Sequence, residues 1–118
     1  MKKAMDMVKI AYEALDEKKG EDIRIIEIKD ISIIADYLVI ANGTNTSQVQ
    51  ALADGVENAL SKQGYEPKAI EGIRNSSWIL MDYNDIIVHV FSKEDRLFYD
   101  LERIWRDGKT VKIEDFDK

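Results

Sequence analysis

"WILMDYNDIIVHVF", residues Trp78 to Phe91, decides the fold. It reads as two strands folded about a tight turn. Side chains alternate across a strand, so Trp78, Leu80 and Asp82 fall on one face and Ile79, Met81 and Tyr83 on the other. The second strand separates Ile86, Val88 and Val90 from Ile87, His89 and Phe91. Both faces are apolar. A sheet with one wet face would alternate apolar with polar residues, so the second face of this hairpin needs a cover.

Upstream, "NTSQVQALADGVENALSKQG" carries Val49, Leu52, Val56 and Leu60 at helical spacing. Asn45 followed by Gln48 has the spacing of a capping box, and Gly64 stands where a cap glycine ends a helix. Before it, "DYLVIANG" reads as a short buried strand closed by Asn-Gly, and Ile23 to Ile28 as another strand. Met5, Val8, Tyr12 and Leu15 predict a first helix, with Gly20 as its stop. Downstream of the hairpin, "SKEDRLFYDLERIWRDG" opens with Ser92 and Asp95 at capping-box spacing and places Leu97, Leu101 and Ile104 on one stripe. The single proline, in "GYEPKAIEG", marks a loop between halves rather than between domains. The tail "KTVKIEDFDK" is read either as a last strand or as frayed.

The order is therefore α-β-β-α-β-β-α: one α/β (α+β) domain over 1–118, with 105–118 as a short tail. Its mixed, four- to five-stranded sheet would carry helices mainly on one face. Three modest helices would cover that face and leave the hairpin's second face exposed. An exposed apolar strip with acidic edges is a candidate partner surface. In the alternative, the first helix wraps the other face and Trp78 is core.

Composition narrows the function classes. The 118 residues suffice for a core without staples, and the absence of cysteine removes disulfides and thiolate metal sites and fits a reducing, cytoplasmic setting. The N-terminus has no continuous apolar run of a signal peptide, and nothing approaches a membrane span. A net charge of −6 argues against direct nucleic-acid binding and for basic partners. His89, the single histidine, has no nucleophile or acid at readable spacing and reads as structural. One histidine and no cysteine define no metal site, and no cofactor is called for. Asp82 and Asp85 flank the turn and read as turn residues, with Asn84 in the left-handed conformation.

"ANGTNTSQ" leads a glycine-containing turn into a helix N-terminus, a generic anion site. It is not a Walker loop, because no lysine follows the glycine. Gly43-Thr44 imitates the Gly-Ser turn of nucleotidyltransferases, but no Asp-x-Asp pair follows the second helix. A nucleotide-binding enzyme of that kind is the alternative reading, with its metal-binding half missing.

From Asp30 to Trp105 the chain resembles the Iojap family, the ribosomal silencing factors. The resemblance rests on the order of Ala35-Asp36-Tyr37, Gln48-Val49 with Ala53-Asp54, Glu71-Gly72, Trp78, Asp82-Tyr83 with Asp85, Val88-His89-Val90-Phe91 and Tyr99-Asp100-Leu101-Glu102. It implies a nucleotidyltransferase-like topology without the catalytic acids, and no enzymatic activity. It also implies binding to the large ribosomal subunit through the basic ribosomal protein L-fourteen, obstruction of subunit joining when nutrients are short, a role in large-subunit assembly in organelles, and a homodimer when free. On this resemblance the uncovered hairpin face is a partner site. Trp78 is its anchor, Leu80 extends the patch, Tyr83 adds contact at the turn, and Glu71, Asp82 and Asp85 meet basic residues. Two departures stand out: Ser47 where many relatives carry arginine, and Asn84 in place of the usual turn glycine.

Overall fold

The computed structural model describes residues 2–30, 35–72, 78–92 and 109–111. Its elements run α1 (Lys2–Glu17), β1 (Glu21–Glu27), β2 (Tyr37–Gly43), α2 (Thr46–Lys62), β3 (Ala69–Glu71), β4 (Trp78–Asp82), β5 (Ile86–Ser92) and β6 (Lys109–Val111). The strands form one sheet in the order β3-β4-β5-β2-β1-β6. Only β2 and β5 pair in parallel; the other neighbours are antiparallel, so the sheet is mixed as expected. Two three-residue strands extend the expected four: β3 at one edge, and β6, which resolves the tail reading at Lys109–Val111 in favour of a strand. The helix expected after Ser92 lies outside the described residues.

Parallel pairing at the centre explains the unbroken apolar runs. Tyr37 stands opposite Ile86 and Gly43 opposite Ser92, and β2 is buried along its whole length. Strands covered on both faces lose the polar alternation of a half-wet sheet. On one face Tyr37, Val39, Ala41, Ile79, Met81, Val88 and Val90 pack with α1 and α2 in the main core.

The helix patterns hold with local shifts. In α2 the buried stripe is Val49, Leu52, Ala53, Val56 and Leu60. Its end is a Schellman motif: Gly64 at φ +87 donates its N–H to the Ser61 carbonyl, and Tyr65 donates to that of Leu60. The α1 stripe is centred on Ala4, Met7, Val8, Ala11, Ala14 and Leu15, with Met5 and Tyr12 at its margin. Picking out the largest apolar residues missed the alanines that let α1 approach its neighbours closely. Gly20 likewise is not the left-handed residue that ends α1. Lys19 takes that conformation, at φ 65, and Gly20 donates its N–H to the Leu15 carbonyl. Space is tight at Gly20, since a Cβ would stand 3.0 Å from that oxygen and 3.2 Å from the Leu52 side chain, so a larger residue would need its neighbours to give by a few tenths of an ångström.

The second face departs from expectation. It is not open: Ile26, Ile28, Ala35, Leu38, Ile40, Ile87 and Phe91 form a second buried cluster, with Trp78 and Leu80 packed against it and only partly buried. The hairpin continues laterally into β2 and β1, where Leu38, Ile40 and Ile26 extend the apolar face up to the exposed Arg24, the register partner of Ile40. Of the apolar side chains on this face, Trp78 and Leu80 of β4 are the partly open ones among the described residues.

Candidate functional site

Register determines what that margin presents. Glu71 of β3 stands opposite Leu80, Leu80 opposite His89, and Trp78 opposite Phe91. Paired residues share a face, so Glu71, Trp78, Leu80, His89 and Phe91 converge on one side of three adjacent strands. Glu71, Gly72, Trp78 and Leu80 line an open pocket of about 230 Å³. Gly72 forms part of it with φ +92, and a Cβ there would collide with the Trp78 carbonyl oxygen, so only glycine fits this wall.

Trp78 is held from behind. Its indole Nε1–H donates to His89 Nδ1 at 3.1 Å. The indole stacks on Phe91, with centroids 5.1 Å apart and planes 26° apart, and the His89 and Phe91 rings are nearly parallel at 9°. His89 is 7% exposed, and burial pushes its imidazole pKa down to about 4. The ring is therefore neutral near pH 7, and accepting the indole N–H through Nδ1 assigns its proton to Nε2. The structural reading of His89 holds. The hydrogen bond itself went unread in the sequence, although the hairpin register places residues 78 and 89 as diagonal neighbours on one face.

The other expected site residues divide. Asp82 shares the face of Trp78 and Leu80, and its Oδ1 accepts from the Asn84 backbone N–H at 2.9 Å. Asn84 has φ 70, the left-handed conformation expected of it. Asp85 sits at the same turn and is partly buried; its carbonyl accepts from the Asp36 N–H at 2.8 Å. Tyr83 is a correction. Period two puts it on the helix side of the sheet, 3% exposed in the main core, so its ring offers no contact beside Trp78. Burial, with Glu57 and Glu66 nearby, pushes its phenol pKa up.

At the Gly43-Thr44 turn two backbone donors, those of Thr44 and Gln48, are engaged by side chains. Asn45 Oδ1 accepts from the Gln48 N–H at 2.9 Å, the expected cap. Gln48 does not close a capping box on Asn45. Its Oε1 accepts from the Thr44 N–H at 2.7 Å and the Thr44 hydroxyl at 2.8 Å, while its Nε2 donates to the Lys19 carbonyl at 3.0 Å. This glutamine ties the start of α2 to the end of α1. Among the described residues no group of three or more His, Cys, Asp or Glu could hold a metal ion, and no helix is long and apolar enough to cross a membrane.

Fold and site together define a small mixed-sheet domain with a partly open aromatic hairpin margin edged with carboxylates. A family model described as "Ribosomal silencing factor during starvation" matches residues 1–118, and the chain belongs to that family. The ribosomal silencing factor of Halalkalibacterium halodurans is 39% identical over 109 residues, covering 92% of this chain and 93% of that protein. That of Bacillus subtilis is 37% identical over 108 residues, covering 92% of each. A crystal structure of a Chromobacterium violaceum protein superposes with a TM-score of 0.83 at 32% identity, covering 91% of this chain and 88% of that one.

Proposed function

We propose that this protein is a translation regulator that binds the large ribosomal subunit through the basic protein L-fourteen and obstructs joining of the small subunit. The observation that carries the reading is the family match along the whole chain. Ribosome association and translation control follow from that membership; the particular partner and the steric mechanism are our inference. The hairpin margin supports it, because a partly buried indole beside Leu80 and an exposed Glu71 combines an apolar anchor with a carboxylate edge. The net charge of −6 suits a basic partner. The docking surface comprises Glu71, Trp78, Leu80 and Asp82, with Asp85 at its rim and Tyr83 left out. It acts by occupying a face, without a catalytic step or cofactor, in the cytoplasm, and the free protein pairs with a second copy.

Co-sedimentation with isolated large subunits tests this. Wild type should pellet with them at low salt, and a folded Trp78→Ala variant should bind more weakly by about 2 kcal/mol or more, roughly thirtyfold. Added small subunits should join fewer large subunits when wild type is present. Equal binding by both proteins would move the site elsewhere, and a Trp78→Ala variant that turns monomeric would assign the hairpin to self-pairing. The nucleotidyltransferase alternative has two of its turn donors, the Thr44 and Gln48 N–H groups, already bonded to side chains. A flat titration with magnesium and nucleoside triphosphates would dispose of it.

A further inference from the structure

We propose that His89 is a positioning residue: by accepting the Trp78 indole N–H it holds the indole as a preset wall of the Glu71–Gly72–Trp78–Leu80 pocket, so the partner meets a surface already formed. This rests on the hairpin margin being the docking surface. The layering is what points to it. Phe91 is 1% exposed and His89 7%, while Trp78, stacked on one and hydrogen-bonded to the other, remains only partly buried. The indole is the outermost of three rings, and its nitrogen edge is turned inward.

A partly exposed tryptophan without such a bond has several orientations open to it and loses that freedom when a partner arrives, at a cost to affinity. An indole N–H is donor only, so a single buried acceptor suffices to choose one orientation. The position of His89 makes this use of its polarity specific. Its paired neighbours are Leu80 on β4 and Ile40 on β2, and it stands between Val88 and Val90 on its own strand. No charged group contributes to its shift, which burial alone causes. For packing alone an apolar ring would serve as well without the desolvation cost of an imidazole.

Two substitutions separate positioning from packing. His89→Phe keeps a ring and removes the acceptor; His89→Asn leaves a cavity but sets an oxygen near the place of Nδ1. If the acceptor matters, Phe is the worse variant for binding; if volume matters, Asn is. We expect folded His89→Phe to bind large ribosomal subunits roughly five- to tenfold more weakly than wild type, and His89→Asn to recover most of that loss. In a Trp78→Phe background the difference between the two should vanish. The indole N–H resonance of Trp78, identified by its absence in Trp78→Phe, should shift upfield in His89→Phe and stay near its place in His89→Asn. Wild-type binding by His89→Phe, or binding by His89→Asn weaker than by His89→Phe, would overturn the proposal. Failure of wild type to bind subunits would instead overturn the docking surface, while the resonance still reports whether His89 holds the indole.

Discussion

Tyr83 and His89 lie on opposite faces of the hairpin, and burial acts on each in a different way. The Tyr83 hydroxyl is buried without a hydrogen-bond partner among the described residues, a state that costs roughly 1–3 kcal/mol when nothing compensates. Tyr83→Phe should therefore leave stability unchanged or raise it by up to about 1 kcal/mol, read as the urea midpoint at constant slope. A clear loss would mean that the hydroxyl has a partner in solution. His89 makes stability depend on pH. Its folded pKa, about 4, lies below the ordinary value of 6.5, so between those values the unfolded chain binds a proton that the folded chain refuses. Stability from this group is complete above pH 6.5 and falls as pH drops toward 4, by on the order of 3 kcal/mol. The wild-type profile should thus decline more steeply across that window than the His89→Phe profile. Carboxylates titrate in both proteins, and the difference isolates the imidazole.

Elements meet at a few side chains, and Gln48 is the clearest. One amide binds the Thr44 backbone, the Thr44 hydroxyl and the Lys19 carbonyl, so the beginning of one helix and the end of another share it. Gln48→Ala should cost roughly 1–2 kcal/mol in thermal or chemical unfolding, about what a lost helix cap costs. An effect within about 0.5 kcal/mol, the range of ordinary surface substitutions, would show the bridge to be replaceable by water. The capping signal Asn45-x-x-Gln48 was legible because Asn45 serves its own helix. The reach of Gln48 to Lys19 was not, because it depends on where a distant helix stops. The same holds for Lys19, whose left-handed backbone puts a lysine where a glycine was expected. The hairpin, both long helices and Gly64 were readable because period and turn chemistry are local. The covered second face was not, since it follows from which strands become neighbours. Leu38 and Ile40 join Ile87 and Phe91 only through a parallel pairing between residues about fifty positions apart in sequence.

At the scale of the molecule, charge and topology govern behaviour toward other macromolecules. The acidic balance of 23 carboxylates against 17 basic side chains should draw a basic partner from a distance and lose that advantage as salt screens it. Raising ionic strength should slow association with large subunits much more than it speeds release, measurable by rapid mixing; an association rate indifferent to salt would exclude charge steering. The aromatic margin was half legible: Trp78 and Leu80 announce a shared face, but Tyr83, placed at the turn, lies by its period within the core.

The sheet order has a wider result. The pair β3–β4 and the group β2–β1–β6 are joined within the sheet only through β5. Yet β5 is the last of the long described strands to be made. A chain cut short before Ile86 owns the pairs β3–β4 and β2–β1 and nothing to unite them, so Trp78 has no Phe91 or His89 to lean on. During the protein's synthesis the aromatic margin therefore stays unfinished while most of the chain has already been translated. On the docking surface proposed above, the ability to bind would arrive in one step, when the middle strand slides into place between the two pairs.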